Sequence, residues 1–115
     1  MLKKINRLSK TKDIAAVMKQ GRAYYSPILM LKLLPNNLAY SRFAVIVSGK
    51  VSKLAVKRNL IKRRIREIIR LFPLKSQAGF DLAILASPKI IVKNKAAEYK
   101  EIERALLDVF KKAGL

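Results

Sequence analysis

The segment KVSKLAVKRNLIKRRIREIIR, residues 50 to 70, admits few folds. It carries nine lysines and arginines against one acid, Glu67, yet aliphatic residues recur through it at helical intervals. At about 100° per residue, Leu54, Ile61, Ile65, Ile68 and Phe72 fall on one face, at steps of 7, 4, 3 and 4. That face has to pack on an apolar layer. Asn59, Lys62, Arg63, Arg66 and Arg70 fall on an adjoining stripe at steps of 3, 1, 3 and 4 and line four cations along an exposed side. Like charges so spaced cost about 0.2–0.5 kcal/mol per pair in an isolated helix. An anionic partner recovers that cost, because each phosphate neutralised releases condensed counterions and a guanidinium fork can grip phosphate oxygens with paired hydrogen bonds.

The rest of the chain supplies the layer this helix needs. Ser9 or Thr11 can cap a short helix running through Gln20, with Ile14, Val17 and Met18 on one side and Gly21 as its stop. Ser26 to Pro35 and Arg42 to Ser48 read as strands joined by the Asn36-Asn37 turn region. The basic helix is expected from about Ser52 to Phe72, ended by Pro73. Phe80 to Ser87 has the length and aliphatic content of a buried strand; Pro88 ends it, and the Ile-Ile-Val that follows can extend the strand content a little. A last helix, about Ala96 to Ala113, puts Tyr99, Ile102, Leu106, Val109, Phe110 and Ala113 on one stripe, with Gly114 as its cap. Helices packed on a sheet make an α+β two-layer sandwich the expected fold class, with residues 1–115 as one domain.

Charge then narrows the function. Lysine and arginine number 26 against 7 acids, in a chain that is 51% apolar and so able to build a core. Residues 98 to 115 hold four acids and four bases, which leaves 22 bases against 3 acids in the first 97 residues. Such an excess points to a nucleic-acid partner. The chain has no histidine and no cysteine, which removes the usual general base, the nitrogen and sulfur metal ligands, and any disulfide framework. Outside the last helix only Asp13, Glu67 and Asp81 remain as carboxylates, with no paired-acid or two-metal spacing. No catalytic protein side chain and no protein-held metal are expected. Neither a signal peptide nor a membrane-spanning run is present in the first residues or in Ile28 to Leu34, so the expected location is the cytoplasm, without a membrane partner.

Asn6-Arg7-Leu8, a short helix ending at Gly21, a strand carrying Val45-Ile46-Val47-Ser48, and KRNLIKRRIRE at Lys57 to Glu67 together resemble the bacterial ribonuclease P protein component. The family pattern is Arg-Asn-Arg-x-Lys-Arg on a long helix, and the likeness runs in order along nearly the whole chain. It implies a central mixed sheet with helices, similar to the second domain of ribosomal protein S5, with a left-handed β-α-β crossover through the basic helix. It also implies a role as subunit of a ribonucleoprotein endoribonuclease. With ribonuclease P RNA as partner, such a protein assists removal of the 5′ leader of precursor tRNA, using Mg2+ held mainly by the RNA and no obligatory protein partner.

By the same resemblance Arg58, Asn59, Lys62, Arg63 and Arg66 match the RNA-binding motif, and Lys50 matches a flanking basic position. Lys53 and Arg70 join them as RNA-binding candidates. Leu60 stands where the family usually has a second arginine, and Ser48-Gly49-Lys50 carries one cation fewer than the usual Ser-Lys-Lys. A leader cleft is implied between the first helix and the sheet. Ile14 and Met18 occupy positions where phenylalanines are common, and Met30 and Lys32, on one face of a strand by period two, are further lining candidates. Tyr24, Tyr25, Tyr40 and Phe43 are the remaining sources of aromatic surface, and their spacing does not assign one to the cleft. The alternative class is a basic ribosomal protein that binds rRNA without assisting catalysis. A DNA-binding reading is disfavoured because the basic helix is pinned by its core face.

Overall fold

The computed structural model describes residues 7–71, 79–93 and 95–115. Helix α1 spans Thr11–Gln20. Neither Ser9 nor Thr11 caps it: Lys10 holds the cap position with no side-chain hydrogen bond, and Asp13 in the first turn supplies the negative charge that the helix N-terminus favours. Gly21 ends the helix, its N–H donating to the Val17 carbonyl at 2.8 Å. Strand β1, Arg22–Tyr25, follows at once and pairs antiparallel with β2, Leu29–Pro35. The expected strand start at Ser26 is displaced because Ser26 builds the turn, its N–H donating to the Leu29 carbonyl at 2.9 Å and its Oγ accepting from the Leu29 N–H at 3.1 Å.

Strand β3 is Arg42–Ile46, helix α2 is Ala55–Leu71 and strand β4 is Phe80–Ala86. The sheet order is β1-β2-β4-β3. Strands β2 and β3, neighbours in sequence, are therefore separated by β4, which runs antiparallel to β2 and parallel to β3. A parallel pair cannot be joined by a tight turn, and α2 is the crossover between β3 and β4. After a short 3₁₀ turn, Pro88–Ile90, two-residue strands β5 (Ile91–Val92) and β6 (Lys95–Ala96) form a small hairpin. Helix α3, Tyr99–Lys112, completes the chain's elements. Its end is a Schellman motif: Gly114 has φ +80°, the Leu115 N–H reaches the Phe110 carbonyl and the Gly114 N–H the Lys111 carbonyl.

One sheet face carries Leu29, Leu31, Leu33, Leu82 and Ile84 into a core closed by α2 and α3. Ile61, Ile65, Ile68 and Ile69 come from α2, and Ile102, Leu106, Val109 and Phe110 from α3, so the two-layer packing and the α3 stripe are as expected. Leu54 is a correction. It is 58% exposed and precedes the helix, because Ser52 Oγ accepts from the Leu54 N–H at 3.1 Å and holds 52–54 in a turn. Ile69 takes its share of the buried stripe. Phe72 and Pro73 lie outside the described residues. Helix α1 packs on the opposite sheet face, where Val17, Leu8, Ala44 and Ala83 form a second, smaller core.

Candidate RNA interface

The outward side of α2 holds Asn59, Arg63, Arg66 and Arg70 exposed and Lys62 half-buried, as the helical angles require. Lys50 and Lys53 are exposed in the turn that leads into it. Three of the helix's arginines are engaged. The Arg58 Nη1 donates to the Ser52 carbonyl at 2.9 Å and fastens that turn to the helix. On the other flank, Arg64 donates to the Ala97 carbonyl at 2.6 Å and ties α2 to the segment before α3. Arg70 donates through Nε and Nη2 to the Glu67 carboxylate, at 3.2 and 2.5 Å. That hydrogen bonding holds the Glu67 carboxyl below its ordinary value and raises Arg70 above its own. Arg63 and Arg66 thus present their guanidinium groups along an open side, where they can meet phosphate oxygens.

Those two arginines border a groove. The N-terminal segment runs beside the free edge of β3, with the Leu8 N–H donating to the Phe43 carbonyl at 2.7 Å, which brings Arg7 and Ser9 next to the sheet. A cleft of about 460 Å³ lies there, lined among others by Arg7, Ser9, Ile14, Ile46, Arg63 and Arg66. From this cleft the sheet face extends away under and alongside α1. The register places Ala23, Lys32, Ala83 and Ala44 in one row across the four strands. Three alanines let α1 approach the sheet closely, and the Lys32 ammonium donates to the Met18 carbonyl at 2.5 Å in the last turn of α1, where a cation suits the helix C-terminus. The parallel row two residues on is Tyr25, Met30, Leu85 and Ile46. Met30, Leu85 and Ile46 are half-buried, as are Ile14 and Met18 on α1 above them.

Ile14, Met18, Met30 and Lys32 therefore do share one side of the sheet, with the Lys32 head group committed to α1. Arg7, Ile46, Leu85 and the placement of Tyr25 in the row with Met30 are not legible in the sequence. Period two alone sorts the residues of each strand onto alternate faces, but which face meets α1 depends on the strand order. Tyr24 pairs with Leu31 on the core side, Phe43 is buried and Tyr40 lies between strands, so Tyr25 is the aromatic residue among these four that joins the groove row.

A groove with an apolar floor and arginines at one end suits a single nucleic-acid strand, whose phosphates take the guanidinium groups while its bases meet the floor. Comparison with known proteins places this geometry. The ribonuclease P family model matches residues 2–114. The chain belongs to the ribonuclease P protein family. It is 40% identical over 106 residues to the ribonuclease P protein component of Dehalococcoides mccartyi, covering 92% of this chain and 85% of that one. The ribonuclease P protein component of Synechocystis is 36% identical over 115 residues, covering 99% and 90%. Among solved structures, a Staphylococcus aureus RNase P protein mutant with defective mRNA degradation activity superposes with a TM-score of 0.80 at 27% identity, covering 96% of this chain and 90% of that one. The RNase P protein from Thermotoga maritima gives 0.78 at 25% identity, covering 92% and 96%. The family's mixed sheet and its crossover through a basic helix are both present. Among the described residues, no helix is long and apolar enough to cross a membrane.

Proposed function

We propose that this ribonuclease P protein binds the catalytic RNA through the α2 side and its flanking turn, and the 5′ leader of precursor tRNA in the groove beside α1. The observation that carries the reading is the continuity of the two surfaces: Ile46, the last residue of the groove floor, lines the same cleft as Arg63 and Arg66. Lys50, Lys53, Asn59, Lys62, Arg63 and Arg66 form the RNA-binding set; Arg58 supports it by holding the turn that carries Lys53, and Arg70 stands at its edge, held by Glu67. Ile14, Met18, Met30 and the Lys32 stem line the leader's path.

The protein's share of the reaction is electrostatic and positional. Cations between two RNAs lower their mutual repulsion, and holding the leader fixes the scissile bond relative to the RNA without any contribution from a protein nucleophile or base. The described residues include no group of three or more carboxylate, histidine or cysteine side chains able to hold a metal. The family resemblance, rather than this absence, is the ground for assigning the Mg2+ of the holoenzyme to the RNA.

The test is cleavage of precursor tRNA by the ribonuclease P RNA of the same organism at low magnesium, with and without the protein, on substrates with a long and a nearly absent leader. The expected result is acceleration that shrinks when the leader is removed. Tight RNA binding with no change of rate on either substrate would overturn the reading.

A further inference from the structure

The far end of the groove floor carries an exposed aromatic ring. Tyr25 is the last residue of β1 and pairs with Met30, which puts it in line with Leu85 and Ile46. It is 62% exposed, whereas the other three members of the row are half-buried. The backbone under the ring is well fixed. Its carbonyl accepts from the Lys112 ammonium at 2.8 Å, Lys112 is itself paired with Asp108 at 3.0 Å, and the next residue, Ser26, closes the β1–β2 turn. A large flat side chain thus projects from a fixed backbone position with a face open to solvent.

Three inter-strand steps separate Tyr25 on β1 from Ile46 on β3, about 14 Å at the usual strand spacing. Arginines line the cleft at the Ile46 end, and Lys112 anchors the backbone at the Tyr25 end. An apolar peptide would gain nothing from the arginines at the Ile46 end of the row. A single strand of RNA would, since its phosphates meet the cations and every base has a face that can stack on a phenol ring. The first helix, with aliphatic Ile14 and Met18, offers no such platform.

We propose that Tyr25 is the stacking platform for one base of the single strand that lies in the groove. The proposal rests on the leader reading above and adds the residue that fixes how far along the leader the protein reads. Purines, with the larger face, bind better than pyrimidines at that one position.

The experiment uses the reconstituted holoenzyme and precursor tRNAs whose leaders carry 2-aminopurine at successive positions, together with a leaderless substrate. Fluorescence quenching is expected at one leader position. Tyr25→Phe keeps the quenching and the affinity; Tyr25→Leu, which preserves apolar bulk on β1, loses the quenching and binds the leader-bearing substrate about 5-fold or more weakly, the low end of base–aromatic stacking. Binding of the leaderless substrate stays the same. If Tyr25→Leu retains quenching and affinity while the wild-type protein still prefers the leader-bearing substrate, Tyr25 is not the platform and the groove reading stands. Equal weakening for both substrates makes Tyr25 a structural residue and overturns the stacking role. A wild-type holoenzyme that binds both substrates equally removes the groove reading and this proposal with it.

Discussion

Arg42 grips the buried Asp81 carboxylate at two points, Nε donating at 2.9 Å and Nη2 at 2.7 Å, and the two residues are direct partners across the parallel β3–β4 pair. The same carboxylate accepts from Asn36 Nδ2 at 2.8 Å, and Arg42 Nη1 reaches Asp13 on α1 at 3.4 Å. The Arg42–Asp81 pair therefore joins two strands, a turn and the helix that walls the groove. Hydrogen bonding to Asp81 raises the Arg42 pKa above its ordinary value. A base so shifted contributes stability that is fully present below its ordinary value and lost only as pH rises through the raised one, so this contact is constant across physiological pH.

Removing Arg42 leaves a buried carboxylate without its cation. Arg42→Ala is expected to cost about 3 kcal/mol in urea unfolding, and adding Asp81→Asn to that variant should restore part of the loss, since the uncompensated charge goes with it. Asp13→Asn, which breaks only the longer and more exposed contact, should cost less than about 1 kcal/mol. A double variant no more stable than Arg42→Ala would show that charge burial is not the cause.

Gly21 is needed for space rather than for backbone freedom. Its φ is −70°, open to any residue, but a Cβ there would lie 2.4 Å from the Val17 carbonyl oxygen and 3.3 Å from that of Leu33. Both neighbours are backbone, so the α1–β1 junction must move. Gly21→Ala is expected to destabilise the fold by about 1–3 kcal/mol. Gly49→Ala, with nothing within 4 Å of the added carbon, should change stability little by the same thermal or urea measurement.

What the sequence disclosed and what it withheld divide along physical lines. Ile61, Ile65 and Ile68 were legible as a buried stripe because helical spacing is local, and the whole α3 stripe was legible for the same reason. Leu54 fits the same angular pattern yet is exposed, since its N–H donates to the Ser52 hydroxyl and the helix starts later than the apolar spacing suggests. Strand β1, Arg-Ala-Tyr-Tyr, has only four residues and no apolar alternation, so no local pattern marks it or the placement of Tyr25. The groove floor was beyond reach because Met30, Leu85 and Ile46 come together through β4 inserting between β2 and β3, which no local pattern encodes.

The arginines of α2 should separate by function in salt titrations of binding to ribonuclease P RNA. Arg63→Ala and Arg66→Ala should each weaken binding and reduce the slope of log K against log salt by about one unit or less per lost phosphate contact. Arg64→Ala should leave that slope close to wild type and instead lower the unfolding midpoint, because Arg64 donates to the Ala97 carbonyl on the opposite flank of the helix. Unchanged slopes for both Arg63→Ala and Arg66→Ala would remove the basic stripe from the RNA interface.

Glu67 borders the arginine-lined cleft and accepts two hydrogen bonds from Arg70, so it sets a negative charge beside the site and occupies one of its cations. Its carboxyl is held below the ordinary value of 4.5, first by the Arg70 hydrogen bond. The sign follows from that direction: the pair is present above the ordinary carboxylate value and is lost only as pH falls through the lowered one, so acidification from about pH 7 to about pH 5 leaves Arg70 engaged. Glu67→Gln removes the charge at every pH and frees Arg70 for a phosphate. Binding to ribonuclease P RNA should then tighten at low salt and its salt slope should steepen by about one unit, with little change in stability because the pair is surface-exposed. Weaker binding by Glu67→Gln would mean that the acid positions Arg70 for the RNA, and the cation would then have to be counted as held in place by Glu67 rather than withheld by it.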